Sequence, residues 1–373
     1  MGWLENLYSS ITSAGQAALE DIWFDGAQTW TLVPLADTQV DGDITARTRN
    51  IQANEEYVTV NLKSFNLVHT RQGWSRYYGA IHSFISLSNP AVERSTVGRV
   101  ISPNQLMSSD AAHADRIITV DQPLFGPAPY CGGNLELELG LFSVKTADLA
   151  RPYLDLLQEL SPVAKISFVS VALPFVEPLK KGVELITGSG DTELQIGLDT
   201  KRVPQTGWWL LMRAPKGSVD TAQLRVTPSD FRLIDQQGEL YSDVPYLIFS
   251  IEATTRREEY YEIPELKEAY NKLRKLVRDA STDPKIADEA KLSLQYFIRL
   301  LKTSPDLVMA DAQYIARKIQ EWYGQVMDAG LDLNTRGILE SDHLERHLPS
   351  LEEVPLYGPE RDQDSGHGWG RVD

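Results

Sequence analysis

The spacing of apolar residues changes along the chain, and this change constrains the fold more than any other feature of the sequence. Between residues 26 and 255, apolar and polar residues alternate with a period of two in many short runs. Leu135–Leu141 is the clearest run, because every second residue is leucine and Glu136 and Glu138 share the opposite face. This alternation predicts a half-buried antiparallel strand with one face in water.

The whole set of alternating runs favours two packed antiparallel sheets. About ten to twelve short runs follow one another with turn residues between them, as in a β-sandwich rather than a barrel or a parallel sheet. Strands and helices do not alternate as they do in a doubly wound fold. One segment, at about 146–188, has helically spaced leucines and several prolines. We expect a β-sandwich domain over 26–255 with a helical insertion at that segment.

Beyond residue 260 the apolar residues follow a helical period. Three apolar stripes predict a three-helix bundle over 260–335, in which Asp283-Pro284 and Ser304-Pro305 start helices and Gly330 ends one. The last segment, 351–373, holds glycine, proline and acidic residues and is expected to be a disordered acidic tail. The predicted fold class is therefore mixed and mainly β: an antiparallel β-sandwich with a helical insertion, followed by a C-terminal α-helical bundle.

The first 25 residues predict an amphipathic helix with one continuous apolar face. The leading turns of that face carry large side chains at Trp3, Leu4, Leu7 and Ile11. The face either packs on its own domain or docks on a partner. Because this segment contains no lysine or arginine, we expect a protein partner, and contact with an anionic membrane surface is possible but not favoured.

Charge and cysteine content exclude several classes of protein. Lysine and arginine number 36 against 52 aspartate and glutamate residues, a net charge of −16 that disfavours non-specific binding to nucleic acid. The single cysteine excludes a disulfide framework and a cysteine-rich zinc site, and it predicts a cytoplasmic location. We expect no export signal and no transmembrane segment, because no window holds enough consecutive apolar residues.

The lone thiol, Cys131, allows a cysteine-dependent hydrolase as one alternative function. It lies in a loop rich in proline and glycine, and His69, His82 and His113 could serve as the base. Such an enzyme needs contact between thiol and imidazole, and an environment that lowers the thiol pKa. The other interpretation is a structural small residue that precedes the turn at Gly132-Gly133.

Three acidic residues form a weak candidate for a calcium site. Asp37, Asp41 and Asp43 share one loop between predicted strands, and oxygen-rich loops of this kind can bind calcium. Their spacing does not match the EF-hand pattern, and aspartate is also common in loops because it forms turns.

The adjacent pair Trp208-Trp209 is a further candidate for binding. In a strand, neighbouring side chains point to opposite faces, so one indole would face the core and the other the surface. An exposed indole would be an anchor for a protein partner or a stacking platform for a sugar. The alternative is that both faces of the strand are covered.

No nucleotide-binding loop and no nucleophile elbow occurs in the sequence, and we expect no cofactor. We therefore predict a non-catalytic, intracellular adaptor that assembles with protein partners through its terminal helices and its sandwich surface. The alternatives are a β-sandwich module that binds calcium, lipid or carbohydrate, and a hydrolase that uses Cys131.

Overall fold

A computed structural model gives the fold of the protein. It describes residues 28–42, 46–68, 71–72, 75–76, 78–89, 93–101, 117–144, 192–202, 204–215, 217–257, 259–280, 284–335 and 348–354. The expected N-terminal helix and the expected helical insertion lie outside these residues, as does the tail beyond residue 354.

The chain divides into two compact units, 1–254 and 255–373. The described residues of the first unit form thirteen β-strands and two short 3-10 turns, Asp37–Gln39 and Thr221–Gln223. The bounds of the strands are β1 Gln28–Leu35, β2 Tyr57–Asn66, β3 Arg71–Gln72, β4 Ser75–Arg76, β5 Tyr78–Asn89, β6 Glu93–Ile101, β7 Ile117–Pro129, β8 Leu135–Val144, β9 Thr192–Arg202, β10 Gly207–Pro215, β11 Arg225–Val226, β12 Leu233–Ile234 and β13 Tyr246–Thr254.

All neighbouring strands of the described sheets pair in the antiparallel direction. One sheet has five strands in the order β1-β10-β13-β2-β7, and another has four in the order β6-β5-β8-β9. The short pairs β3-β4 and β11-β12 form two further sheets. The prediction of a mixed fold with antiparallel sheets and a helical C-terminal region is confirmed.

The main apolar core of the first unit draws side chains from both large sheets. On β8, Leu135, Leu137, Leu139 and Leu141 are buried, and they share one cluster with residues of β2, β10 and β13. Glu136 and Glu138 on the other face are only partly buried. The alternation that the sequence shows over this strand therefore corresponds to an inner and an outer face.

A second apolar cluster covers the other face of the five-stranded sheet. It combines side chains of β10 and β13, such as Leu210 and Ile248, with Leu224, Val226 and Leu233 from the segment between those two strands. The central strands β10 and β13 are therefore apolar on both faces, which explains their nearly continuous hydrophobic sequences.

The described part of the second unit contains three α-helices, as the sequence predicts: α1 Pro264–Ala280, α2 Ala287–Thr303 and α3 Met309–Thr335. Each buries one apolar stripe, for example Leu266, Tyr270 and Leu273 on α1. No helix among the described residues is long and apolar enough to cross a membrane.

Several element boundaries differ from the expected ones. The third helix begins at Met309 rather than at Ser304-Pro305, because Leu307 and Val308 are buried in the turn that precedes it. It also passes through Gly330 and ends at Thr335, since one glycine lowers helix stability without ending the helix.

The start of the expected disordered tail is ordered. A short 3-10 turn, Leu351–Glu353, lies in the second unit, and Leu351 and Val354 are buried there. The expectation from composition was wrong for these residues, because two apolar side chains are enough to hold a short segment that also forms hydrogen bonds to a helix. The remaining tail lies outside the described residues.

Candidate functional site

The four residues proposed as the leading anchors of the N-terminal arm, Trp3, Leu4, Leu7 and Ile11, lie outside the described residues. Their role as a partner-binding face stays a prediction.

Both tryptophans of the candidate pair are buried. Trp208 is 3% exposed and packs in the cluster over the outer face of the five-stranded sheet, and Trp209 is 7% exposed and packs in the core that both sheets share. The two rings do point to opposite faces, but the segment between β10 and β13 covers the outer one. The interpretation as a surface anchor or sugar platform does not fit, because neither ring is accessible.

The described surroundings of Cys131 raise the pKa of its thiol rather than lower it. The side chain is partly buried in the loop between β7 and β8, and burial raises the pKa of its thiol. A nucleophilic cysteine needs the opposite shift.

His82 is also unsuited to act on that thiol. It is buried in β5, and burial lowers its pKa to about 3, so the imidazole is neutral at neutral pH. The strand register pairs Leu87 with Leu135, next to the loop of Cys131, and pairs His82 with Gly140. His82 therefore lies five residues further along the strand, about 16 Å away at roughly 3.3 Å per residue. His69 and His113 lie outside the described residues.

The candidate calcium loop is described only in part. Asp37 accepts hydrogen bonds from the backbone N–H and the hydroxyl of Thr48, at 3.3 and 3.5 Å, and so connects two parts of the chain that are eleven residues apart. Asp41 is exposed, and Asp43 lies outside the described residues. Within the described parts of the chain, no three acidic, histidine or cysteine side chains cluster as metal ligands would.

A buried lysine lies at the centre of a polar cluster in the first unit. The ammonium of Lys63 lies 2.8 Å from a carboxylate oxygen of Asp121 and 3.4 Å from one of Glu252. It also lies 5.4 Å from the ring centre of Trp208 and 5.2 Å from that of Phe231. These distances fit two ion pairs and two cation–π contacts around one charge.

The cluster keeps Lys63 charged. Burial opposes the charged form, but the hydrogen bond to Asp121 and the attraction of Glu252 outweigh it, so the pKa of Lys63 is raised. An amine that stays protonated cannot act as a nucleophile or form a Schiff base. The arrangement is thus a fixed positive charge rather than a catalytic amine.

Two residues beside Lys63 have left-handed backbone conformations that side chains rarely adopt. Asp121 has a φ of 42° and Phe231 a φ of 53°. The loop around Phe231 is held in place by Ser64, whose hydroxyl donates to the Phe231 carbonyl at 2.5 Å, and by Thr119, whose hydroxyl donates to the Asp230 carbonyl at 2.6 Å. This cluster could not be recognised in the sequence, because its members come from four separate strands and from the loop between β11 and β12.

The second unit has an exposed apolar pair on the outer face of α2. Leu292 is 66% exposed and Tyr296 is 56% exposed, and they stand four residues apart, so they are neighbours on the helix surface. The buried stripe of α2 lies on the opposite side of the helix, at Ala290, Leu294, Phe297 and Leu301. This pair was not recognised in the sequence, where apolar residues nearly surround the helix.

The second unit also contains an ion pair with no exposure at either end. Arg257 and Asp306 are both fully buried, and an Nη of Arg257 donates to the Asp306 carbonyl oxygen at 3.2 Å and approaches its carboxylate at 3.5 Å. Asp306 precedes α3, so this pair fixes the turn that leads into that helix.

Comparison with models of known protein families, with curated proteins and with solved structures finds no significant match.

Proposed function

We propose that this protein is a non-catalytic interaction protein that binds a protein partner through the outer face of α2. The observation that carries the proposal is the exposure of Leu292 and Tyr296, two large apolar side chains on one helix face. Burying such side chains in an interface contributes about 1.5–3 kcal/mol each. Tyrosine is also enriched in the centres of interfaces.

The surroundings of the pair favour a protein partner with a mixed surface. The first turn of α2 carries Asp288 and Glu289, and its last turn carries Lys302. Asp288 and Glu289 lie on the side of the helix that carries Leu292 and Tyr296, whereas Lys302 lies about a third of a turn away from Tyr296 around the helix axis. The face therefore presents an apolar centre with acidic side chains at one end, as in an interface core with a polar rim.

The properties of the two candidate catalytic groups support a non-catalytic role. A thiol with a raised pKa does not suit a cysteine hydrolase, and neither does a buried imidazole with a pKa of about 3, which is a very weak base.

The inferred architecture of the first unit is a β-sandwich. We infer that the two large sheets form a β-sandwich, since one apolar cluster draws on both. The N-terminal residues Trp3, Leu4, Leu7 and Ile11 would add a second contact for partners. An intracellular location is also part of the proposal, and it rests on the presence of a single cysteine.

Site-specific photo-crosslinking in the native cell tests the proposal. A photoreactive phenylalanine analogue at position 296 should give one discrete adduct with a partner protein. The same analogue at Lys302, an exposed position in the last turn that faces away from Tyr296, is the matched control and should give little adduct.

A second variant links the adduct to the apolar face. Leu292→Asp should abolish the crosslink from position 296 while the circular dichroism of the chain stays unchanged. Lys291→Asp alters charge at the neighbouring exposed position and should leave the crosslink in place. Equal adducts from positions 296 and 302, or no adduct from either, would overturn the proposal.

A further inference from the structure

The segment Leu348–Val354 lies along the first helix and is held by side chains of that region. Arg274 donates from Nε to the carbonyl oxygen of Leu348 at 2.9 Å, and Tyr270 donates its hydroxyl to the carbonyl oxygen of Pro349 at 3.0 Å. Later residues of the segment bond to an earlier residue of the chain, so the segment runs antiparallel to α1.

Tyr260, just before α1, completes the set of donors. Its hydroxyl lies 2.5 Å from the carbonyl oxygen of Leu351 and 3.2 Å from that of Val354. Together, Tyr260, Tyr270 and Arg274 bind four backbone carbonyl oxygens. Hydrogen bonds to backbone carbonyl oxygens depend on the path of the backbone and little on the identity of the side chains.

Three apolar side chains give the segment its selectivity. Leu348, Leu351 and Val354 are spaced three residues apart and are all buried, whereas Glu352 and Glu353 are exposed. The segment thus has the character of a short peptide ligand, with apolar anchors on one side and acidic groups in water.

Contacts within the segment shape it independently of the helix. A carboxylate oxygen of Glu353 accepts hydrogen bonds from the backbone N–H of Ser350 at 3.0 Å and from its hydroxyl at 2.7 Å. A ligand that holds its bound shape by itself loses less entropy when it binds.

We propose that Tyr260, Tyr270 and Arg274 form a peptide-docking groove, that Leu348–Val354 occupies it as an intramolecular ligand, and that the same segment of a second copy of this chain can replace it. The identical segment remakes every contact described above, so exchange between copies loses none of them. The groove is separate from the α2 face of the proposed function.

The length of the connecting chain sets the balance between the two occupants. Residues 336–347 join the end of α3 to the segment. A short connection gives the chain's own segment an effective concentration in the millimolar range, so in dilute solution that segment occupies the groove. Weakening that segment frees the groove for another copy.

Two full-length variants with complementary defects test the exchange. One carries Leu348→Asp, Leu351→Asp and Val354→Asp, which removes the anchors and leaves the groove intact. The other carries Tyr260→Phe, Tyr270→Phe and Arg274→Met, which removes every donor at nearly constant volume and leaves the segment intact. Each alone should keep its helical circular dichroism and its own mass in analytical ultracentrifugation.

Mixing the two variants should give a one-to-one complex, because the intact segment of one fits the free groove of the other. A fluorescent synthetic peptide of residues 347–356 should bind the anchor variant at least tenfold more tightly than the unaltered chain, and the same peptide with Leu351→Asp should not bind.

A mixture that stays unassociated would overturn the proposal, as would equal peptide binding by the anchor variant and the unaltered chain. Loss of the cooperative helical melt in the anchor variant would also overturn it, because the segment would then belong to the helical core.

Discussion

The two units of this protein bury charge in different ways. In the sheet unit, Lys63 is nearly buried, but its partner Asp121 is 54% exposed. In the helical unit, Arg257 and Asp306 are both completely buried. The first pair lies at the rim of a large apolar core and keeps one end in water, whereas the second pair is enclosed.

Exposure of one partner determines how much stability depends on an ion pair. An ion pair with one exposed partner is screened by solvent, and the loss of that partner leaves the other charge still able to find water. A fully buried pair has no such route, so removing one member leaves an uncompensated charge in an apolar environment. The stability of the small helical unit therefore depends more strongly on its Arg257–Asp306 pair than the stability of the sheet unit depends on Lys63–Asp121.

The largest effect is expected for Asp306→Ala. Because Arg257 would lose a buried, oppositely charged partner, the helical unit should lose up to about 3–5 kcal/mol of unfolding free energy. Urea unfolding followed by far-ultraviolet circular dichroism measures it. Asp279→Ala removes a surface partner of Arg278 in the same unit and should change little. If both variants melt alike, the buried pair is not the feature on which this unit depends.

Gly140 in the sheet unit and Gly324 in the helical unit should respond to alanine in opposite directions. A Cβ at position 140 would lie 2.0 Å from Cε1 of His82, so Gly140→Ala should destabilise the sheet unit by about 1–3 kcal/mol. A Cβ at position 324, inside α3, meets nothing within 4 Å, so Gly324→Ala should stabilise the helical unit by about 0.5–1 kcal/mol. Thermal unfolding measures the shift in melting temperature of each variant. Two shifts of the same sign would contradict the prediction.

Acid should weaken the sheet unit through His82. Its folded-state pKa of about 3 lies below the ordinary value of 6.5, so the unfolded chain takes up the proton first. Neutral His82 therefore costs the folded state nothing above pH 6.5. As the pH falls from 6.5 towards 3, the free energy of unfolding decreases by roughly 1 kcal/mol per pH unit. Chemical unfolding at several pH values measures this slope. A His82→Leu variant should have a shallower slope, and an unchanged slope would show that other groups cause the acid sensitivity.

The smallest effect is expected for Asp121→Ala. Because Asp121 is half exposed and Glu252 remains 3.4 Å from Lys63, the loss should be below about 1 kcal/mol. The same urea titration measures it. A loss as large as that of Asp306→Ala would remove the distinction between the two units.

The sequence predicts the local patterns of this fold well. The alternation in Leu135–Leu141 became a strand with one buried face, and three helical stripes became three helices. These features depend on the period of neighbouring residues, which the sequence states directly.

Features that depend on distant residues could not be predicted. The start of α3 is displaced past Asp306, whose partner Arg257 lies far from it in sequence. The cover over Trp208 and the cluster around Lys63 join strands that only the folded topology brings together. The order in Leu348–Val354 comes from donors on α1, which composition cannot reveal.

The position of β13 has a consequence for the timing of folding. This strand, Tyr246–Thr254, lies between β10 and β2 in the five-stranded sheet, and β1 pairs with β10 so that Thr31 faces Met212. A growing chain cannot complete this sheet until residue 254 has emerged from the ribosome, and until then β2 and β10 expose edges that can pair with other chains. The helical unit joins neighbours in sequence and forms quickly once synthesised. The sheet unit is therefore synthesised first but folds last, and its strand edges are exposed to aggregation during that interval.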